Sequence, residues 1–426
     1  MLLYIHVPFC KSRCSYCAFH SQTLEANTTP ASSPMMRQYV DTLLKEIEYY
    51  ADRHGDQKIQ SIFFGGGTPS LLPAPVLDVI MERLHRSFKI SEKAEITLEA
   101  NPESLRQNNP FKSYLSSGIN RLSIGIQSLD DTILRMLGRP HKAYDGIWAV
   151  GAARDAGFAN ISVDLMWGLP GQSMRQWLQT LRDVIALGPD HISSYCLSLE
   201  PGTKMEREVE SGNLVLPPER DQSIMFMEGA ALLEAKSYLH YEISNFARMG
   251  YQSRHNLGYW EGSPYIGLGP SSTSTIGDRR WTNPANLAAW SERVKSGDLE
   301  SGAEVLSPKT RALELVMLRL RTARGLRLKA YRDMTGRDFL KDHQRFAQAM
   351  HDNGLVRIRN GYMSLTRSGM LVSNAVISNL FERMEATLDD NFKDFRLPEP
   401  EEPDLPEPGM IKPAVFPIAG ARQQNL

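Results

Sequence analysis

A chain of 426 residues with 42% hydrophobic content carries enough apolar surface for a large core, and its length suits two or three domains. A formal net charge of -1 gives no bulk field to draw it to a polyanion and excludes a strongly acidic solvating chain. No run approaches the roughly 20 apolar residues of a bilayer span, and the first residues lack a cationic stretch followed by an apolar one. A soluble cytoplasmic protein is the expectation.

In chain order, LLYIHV, IQSIFF, AEITLE, RLSIGI, ISVDLMWGL and HISSYCLSL are short apolar runs, each followed by a turn and an amphipathic segment. Runs apolar on both faces predict buried parallel strands, and about six such units predict an α/β fold, a partial (β/α)6 TIM-like barrel. Chemistry in such barrels gathers where strands end. Here the first strand runs into a cysteine-rich loop, the second into GGGTPS, and the third into Glu99-Ala100-Asn101-Pro102. The fourth contains Gly125-Ile126-Gln127-Ser128, and the fifth carries Asp164 ahead of GLPGQ.

Ser21 to Pro34 reads as a mobile loop, and residues near 217 to 300, including YIGLGPSSTSTIGD, as irregular structure against the barrel. Beyond Ser307 the pattern turns helical, with Pro308 near a helix start and DFLKDHQRFAQAMHDNG closing on Gly354. Asn360-Gly361 between two alternating runs predicts a hairpin. The expected organisation is a barrel core over 1–235, a connecting segment over 236–306 containing HNLGYW, and a small winged-helix-like α+β domain over 307–385. Residues 386–426 form an acidic, proline-rich tail too polar to bury a core.

Three of the four cysteines, Cys10, Cys14 and Cys17, lie in one C-x3-C-x2-C segment. Four cysteines make no disulfide framework in a chain this long, and clustered thiols more often bind metal. With His20 they make a Cys3His set for structural zinc. Alone they hold three corners of a [4Fe–4S] cluster and leave one iron open. Cys196, far along the chain, reads as a packed core thiol. A ligand chelating the open iron through amino and carboxylate groups needs backbone partners, carboxylates for ribose hydroxyls and an apolar slot. The glycine turn at 65–67, Glu99, Gln127, Arg139 and Asp164 supply matching parts, although an isolated Glu or Asp at a strand end is also an ordinary helix cap.

CKSRCSYC after the first strand and GGGTP after the second resemble the radical S-adenosylmethionine superfamily. YIHVPFC, LEANPES, GIQS, LGRPH and DLMWGLPGQ, in that order, resemble the branch that holds oxygen-independent coproporphyrinogen III dehydrogenase (HemN) and the heme chaperone HemW. The resemblance implies a [4Fe–4S] cluster on Cys10, Cys14 and Cys17, and S-adenosylmethionine held by Tyr4, Gly66, Gly67, Thr68, Glu99, Gln127, Arg139 and Asp164.

Two details point to the chaperone side. The dehydrogenase pattern has one more cysteine two positions after the third, where this chain has Phe19, and His255-Asn256-Leu257-Gly258-Tyr259-Trp260 matches the H-N-x-x-Y-W motif of the chaperones. The resemblance therefore implies a heme carrier, with His255, Asn256, Tyr259 and Trp260 as heme contacts and a heme-acceptor protein as partner. A membrane respiratory protein is one candidate acceptor, with peripheral membrane association. The alternative is the dehydrogenase itself, decarboxylating coproporphyrinogen III. From Lys309 to Arg345 there are eleven Lys/Arg against four Asp/Glu. Such a run reads more often as a solvated face than as a nucleic-acid surface, and no nucleic-acid partner is expected.

Overall fold

The computed structural model describes residues 1–24 and 32–388. The six predicted runs form β1 (Leu2–Val7), β2 (Lys58–Gly66), β3 (Lys89–Ala100), β4 (Arg121–Gln127), β5 (Ile161–Trp167) and β6 (His191–Cys196), paired in parallel in that order. Six successive residues of β4 are buried, which is why these strands lack the alternation of a one-faced sheet. Helices α1 (Pro34–His54), α2 (Ala74–Ser87), α3 (Pro102–Asn108), α4 (Ala143–Ala156), α5 (Met174–Ala186) and α6 (Glu219–Ala235) follow the six strands in turn. In α5, Ser173 and Gln176 form a capping box, and Trp177, Thr180, Leu181 and Val184 recur at helical spacing on the buried face.

The barrel stays open because strands extend the sheet at both edges. Beyond β6 lie β8 (Asn245–Ala247) and then β7 (Leu239–Glu242), each antiparallel to the strand before it. Beside β1 lies parallel β9 (Tyr265–Leu268), followed by antiparallel β10 (Thr273–Ile276), β11 (Arg279–Thr282) and β12 (Glu304–Val305). The chain crosses from one edge to the other through a seven-residue helix, α7 (Arg254–Trp260). The run YIGLGPSSTSTIGD, expected to be irregular, supplies β9 and β10 instead. Its small residues let two strands approach: a Cβ on Gly267 would fall 2.3 Å from the Thr273 carbonyl oxygen.

A second hydrophobic cluster, separate from that of the barrel, gathers α8 (Pro308–Leu320), β13 (Leu326–Arg327), α9 (Leu328–Thr335), α10 (Gln344–Asp352), β14 (Val356–Arg359), β15 (Tyr362–Leu365) and α11 (Ser373–Thr387). The strands pair in the order β13-β15-β14. Asn360 and Gly361 take φ of 53° and 78°, the left-handed pair that a two-residue hairpin turn needs. The helix expected over DFLKDHQRFAQAMHDNG is broken at His343, between Phe339–Asp342 and α10. In the basic run each of the four acids is taken up: Glu314 by Arg280 and Arg311, Asp333 by Lys329, Asp338 by Arg332 and Asp342 by Arg337. Within the expected mobile loop, Gln22–Thr23 pairs with Phe9–Cys10 and Ser33 caps α1, while 25–31 lie outside the described residues. α11 runs to Thr387, and the rest of the predicted tail, 389–426, also lies outside them.

Candidate functional site

Cys10, Cys14 and Cys17 are partly exposed and line one cavity of about 540 Å³ at the carboxyl ends of the strands. Their loop is fastened from several sides. Ser15 donates its N–H to the Leu137 carbonyl and its hydroxyl to that of Met136, the Met205 N–H reaches the Ser15 carbonyl, and Leu24 N–H reaches the Cys10 carbonyl. The sulfurs meet hydrogen-bond donors. Thr68 Oγ1 and the Ser21 hydroxyl approach Cys10, an Arg139 Nη lies 3.5 Å from Cys14 Sγ, and the Phe19 N–H faces Cys17. Without metal, burial pushes the Cys10 and Cys17 thiols up.

Among the described residues no three His, Cys, Asp or Glu side chains converge on a single metal-ion position. Three thiols ringed by donors from Thr68, Ser21, Arg139 and the Phe19 N–H fit an iron–sulfur cluster, whose thiolate sulfurs accept such hydrogen bonds. His20 turns its carbonyl to His6 Nε2 at 2.9 Å, with its ring against the His6 ring.

The same cavity brings together Gly66, Gly67, Thr68, Glu99, Gln127, Arg139 and Asp164. The glycine turn docks through its backbone: Gly67 N–H on the Val7 carbonyl, Thr68 N–H on that of Phe9, and Gly66 N–H on Glu99 Oε2 at 3.2 Å. Gly66 has φ of 108° and a Cβ there would strike the His6 ring, so no other residue fits. Gln127, at the end of β4, has φ of 65°, a conformation costly for a non-glycine residue, beside a register shift against β5. Burial pushes Glu99 up to about 8, with Asp164 adding to the effect and the Gly66 N–H opposing it. Asp164 is raised by burial against hydrogen bonds from Ser193 and Ser123. Cys196 differs from expectation. It is exposed and lines this cavity, because β6 ends at the rim and its last residues leave the core.

Tyr4 belongs to an adjoining chamber of about 160 Å³, which shares Glu99, Ser123, Asp164 and Tyr195 with the main cavity and reaches down to His255, Asn256 and Tyr259. α7 closes this chamber at the amino ends of the strands. Ser253 caps the helix, and Glu95 accepts from the N–H groups of Arg254 and His255 at 3.1 Å and from the Ser253 hydroxyl. Gly258 lies against Leu2 at the start of β1. His255 is 1% exposed, with Nδ1 2.8 Å from Ser61 Oγ and Nε2 without a partner, and burial lowers its pKa to about 3. Trp260 is separated from the other three. It lines a different cavity, of about 230 Å³, between α7 and α8, and hydrogen-bonds Glu242. Sequence reasoning passed over Glu95, Ser61 and Arg121, which meet α7 or the chamber only through the fold. Asn101 was noted at the rim without a role.

An open parallel barrel with a three-cysteine loop at its rim defines the class of a radical S-adenosylmethionine protein, and residues 4–184 match the Radical SAM superfamily model. Residues 306–372 match the HemN C-terminal domain. The heme chaperone HemW of Synechocystis sp. is 36% identical over 334 residues, covering 76% of this chain and 78% of that protein. The heme chaperone HemW of Bacillus subtilis is 32% identical over 375 residues, covering 88% of this chain and 97% of that protein. The structure of coproporphyrinogen III oxidase (HemN) from Escherichia coli superposes with a TM-score of 0.75 at 23% identity, covering 91% of this chain and 90% of that one, a likeness of fold. The chain belongs to the HemW family of the radical SAM superfamily. That membership implies a [4Fe–4S] cluster and S-adenosylmethionine as cofactors. Among the described residues no helix is long and apolar enough to cross a membrane.

Proposed function

We propose that this chain binds heme and passes it to an acceptor protein, with a [4Fe–4S] cluster on Cys10, Cys14 and Cys17 and S-adenosylmethionine in the rim cavity. The observation that carries the reading is the match to the heme chaperone of B. subtilis along 97% of its length. Phe19, 70% exposed at the cavity mouth where the dehydrogenase pattern has a cysteine, supports it. When bound, the cluster supplies one-electron reduction and an open iron for an amino-carboxylate ligand.

This chain's own groups then divide the work. Glu99 and Asp164 offer carboxyls to hydroxyl or ammonium groups, Gln127 is aimed inward by its left-handed backbone, and Tyr4 closes the chamber below. In the tautomer whose Nδ1–H donates to Ser61, His255 Nε2 would offer a lone pair to heme iron, but only once α7 moves aside, because a chamber of about 160 Å³ is too small for a heme. Asn256 and Tyr259 share its chamber, and Trp260 holds the far end of α7. The acceptor is an apoprotein that receives heme, and a membrane-bound respiratory protein would bring the chain to the bilayer surface.

The test is a parallel anaerobic experiment on the reconstituted chain: a heme titration followed by absorption, and a coproporphyrinogen III turnover assay with S-adenosylmethionine and reductant. Stoichiometric heme uptake without protoporphyrinogen supports the carrier. Turnover to protoporphyrinogen sinks it and establishes the dehydrogenase.

A further inference from the structure

We propose that Asn101 is a positioning residue for the iron–sulfur cluster, acting through Thr68 and Arg139 on the sulfurs of Cys10 and Cys14. The inference rests on the assignment of the cluster to Cys10, Cys14 and Cys17 made above. An unbroken series of hydrogen bonds joins two of the three sulfurs. Thr68 Oγ1 lies 3.5 Å from Cys10 Sγ, Asn101 Nδ2 donates to Thr68 Oγ1 at 3.0 Å, Arg139 Nη2 donates to Asn101 Oδ1 at 2.6 Å, and Arg139 Nη1 lies 3.5 Å from Cys14 Sγ. The central amide has one possible orientation. Arginine only donates, so Oδ1 must face Arg139 and the NH2 group must face Thr68. That donation occupies the Thr68 oxygen and directs its proton to Cys10.

Three features of the fold accompany this arc. Asn101 stands at the N-cap of α3, where an asparagine side chain ordinarily accepts from the first-turn N–H groups, yet its side chain makes no cap bond. The turn is left to its backbone carbonyl, which accepts from Ser104 and Leu105. Arg139 is anchored by Asn101 and the Gly125 carbonyl, while Glu103, the carboxylate near it, faces His141 Nδ1 at 3.3 Å. The guanidinium is thus shared by Cys14 Sγ, the Tyr16 hydroxyl and Asn101, with the Glu103 carboxylate near it. Gly125 keeps the crossing open, since a Cβ there would lie 3.0 Å from Asn101 Oδ1 and from Gln127 Nε2, and 3.3 Å from Arg139 Nη2. Donors to thiolate sulfur and a nearby fixed cation favour the more negative, reduced state of a cluster, so the arc raises its reduction potential.

The experiment is a potentiometric titration of the cluster couple by electron paramagnetic resonance, on the reconstituted full chain without S-adenosylmethionine, for wild type, Asn101→Asp, Thr68→Val and Thr68→Ser. In Asn101→Asp the carboxylate neutralises Arg139 and draws the Thr68 proton from Cys10. The reduced-to-oxidised ratio at fixed potential is expected to fall about tenfold, roughly 59 mV for one electron. Thr68→Val shifts it the same way by less, Thr68→Ser restores the wild-type value, and adding Thr68→Val to Asn101→Asp lowers it no further. A wild-type midpoint in Asn101→Asp overturns the proposal, as does a Thr68→Ser shift equal to that of Thr68→Val. If Asn101→Asp fails to hold a cluster, Asn101→Ala takes its place, and a wild-type midpoint there overturns the proposal. Unshifted variants with a normal wild-type signal overturn only this inference. A full signal in Cys10→Ala overturns the ligand assignment beneath it.

Discussion

At the carboxyl rim of the barrel, three partly exposed cysteines line a cavity of about 540 Å³ and meet four donors from three segments. At the amino floor, His255 is 1% exposed and faces a chamber of about 160 Å³, held by Ser61 and by the Glu95 carboxylate at the start of its helix. Both segments carry residues able to bind metal. The difference lies in access. The rim loop is pinned at Ser15 and at Cys10 while its three sulfurs line the cavity, so a large group can be assembled there without moving the core. The floor helix is part of the core's closure, so whatever His255 ligates must enter through the rim cavity or displace α7. On the assignment proposed above, the cofactors would sit at one end and heme uptake would depend on how readily the other end opens.

The largest expected effect breaks the rim side of this contrast. Replacing Cys10, Cys14 or Cys17 singly by Ala should abolish the iron–sulfur absorption after anaerobic reconstitution while leaving the melting temperature of the cofactor-free chain close to wild type, since none is a core residue. Retained absorption in all three variants would falsify the ligand set. Glu95→Ala is the corresponding change at the floor. It strips the acceptor from one buried and one partly buried N–H group and from one hydroxyl and should cost about 3 kcal/mol of stability in denaturant unfolding, with the cluster still assembled. A loss under 1 kcal/mol would mean that α7 is not held closed by Glu95, and the sealed floor would have to be abandoned.

How far these two ends were legible before the fold was known follows from sequence separation. The C-x3-C-x2-C spacing, the six apolar runs and Asn360-Gly361 are local signals, and the structure bears them out as a loop, six parallel strands and a left-handed turn. The environment of His255 was not legible, because Ser61 and Glu95 lie some 194 and 160 residues away and join it only when β2 and β3 align beneath α7. The same holds for Asn101, whose partners Thr68 and Arg139 come from two other loops. Two readings misled. Glycine and serine in YIGLGPSSTSTIGD suggested irregularity but serve close strand approach, and the place of Cys196 on the sixth strand suggested a core position although that strand ends at the rim.

A smaller effect sharpens the contrast in cargo handling. His255→Ala should leave the cluster absorption unchanged and weaken heme binding about tenfold, with loss of the histidine-ligated heme spectrum. An unchanged heme spectrum would move the iron ligand away from the floor and leave α7 a structural plug.

The gentlest expected effect is on pH, where the buried groups of the chain titrate in opposed senses. Burial lowers His255 to about 3 and His6 and His240 to about 4. Between those values and the ordinary histidine value near 6.5 the unfolded chain binds more protons, so their contribution to stability is lost as pH falls through that window. Burial raises Glu99 and Glu46 to about 8 and Glu242 to about 7. Between the ordinary value of about 4.5 and those values the folded chain binds more protons, so their contribution is lost as pH rises. The two slopes oppose each other from about 4.5 to 6.5 and act alone outside it, which puts the stability maximum of the cofactor-free chain inside that interval. Denaturation midpoints measured from pH 4 to 9 should therefore peak near 5 to 6 and fall toward 8. A midpoint that continues to rise from pH 6.5 to 8 would mean that Glu46, Glu99 and Glu242 are ionised in the folded chain, and that the interior is wetter than its closed walls imply.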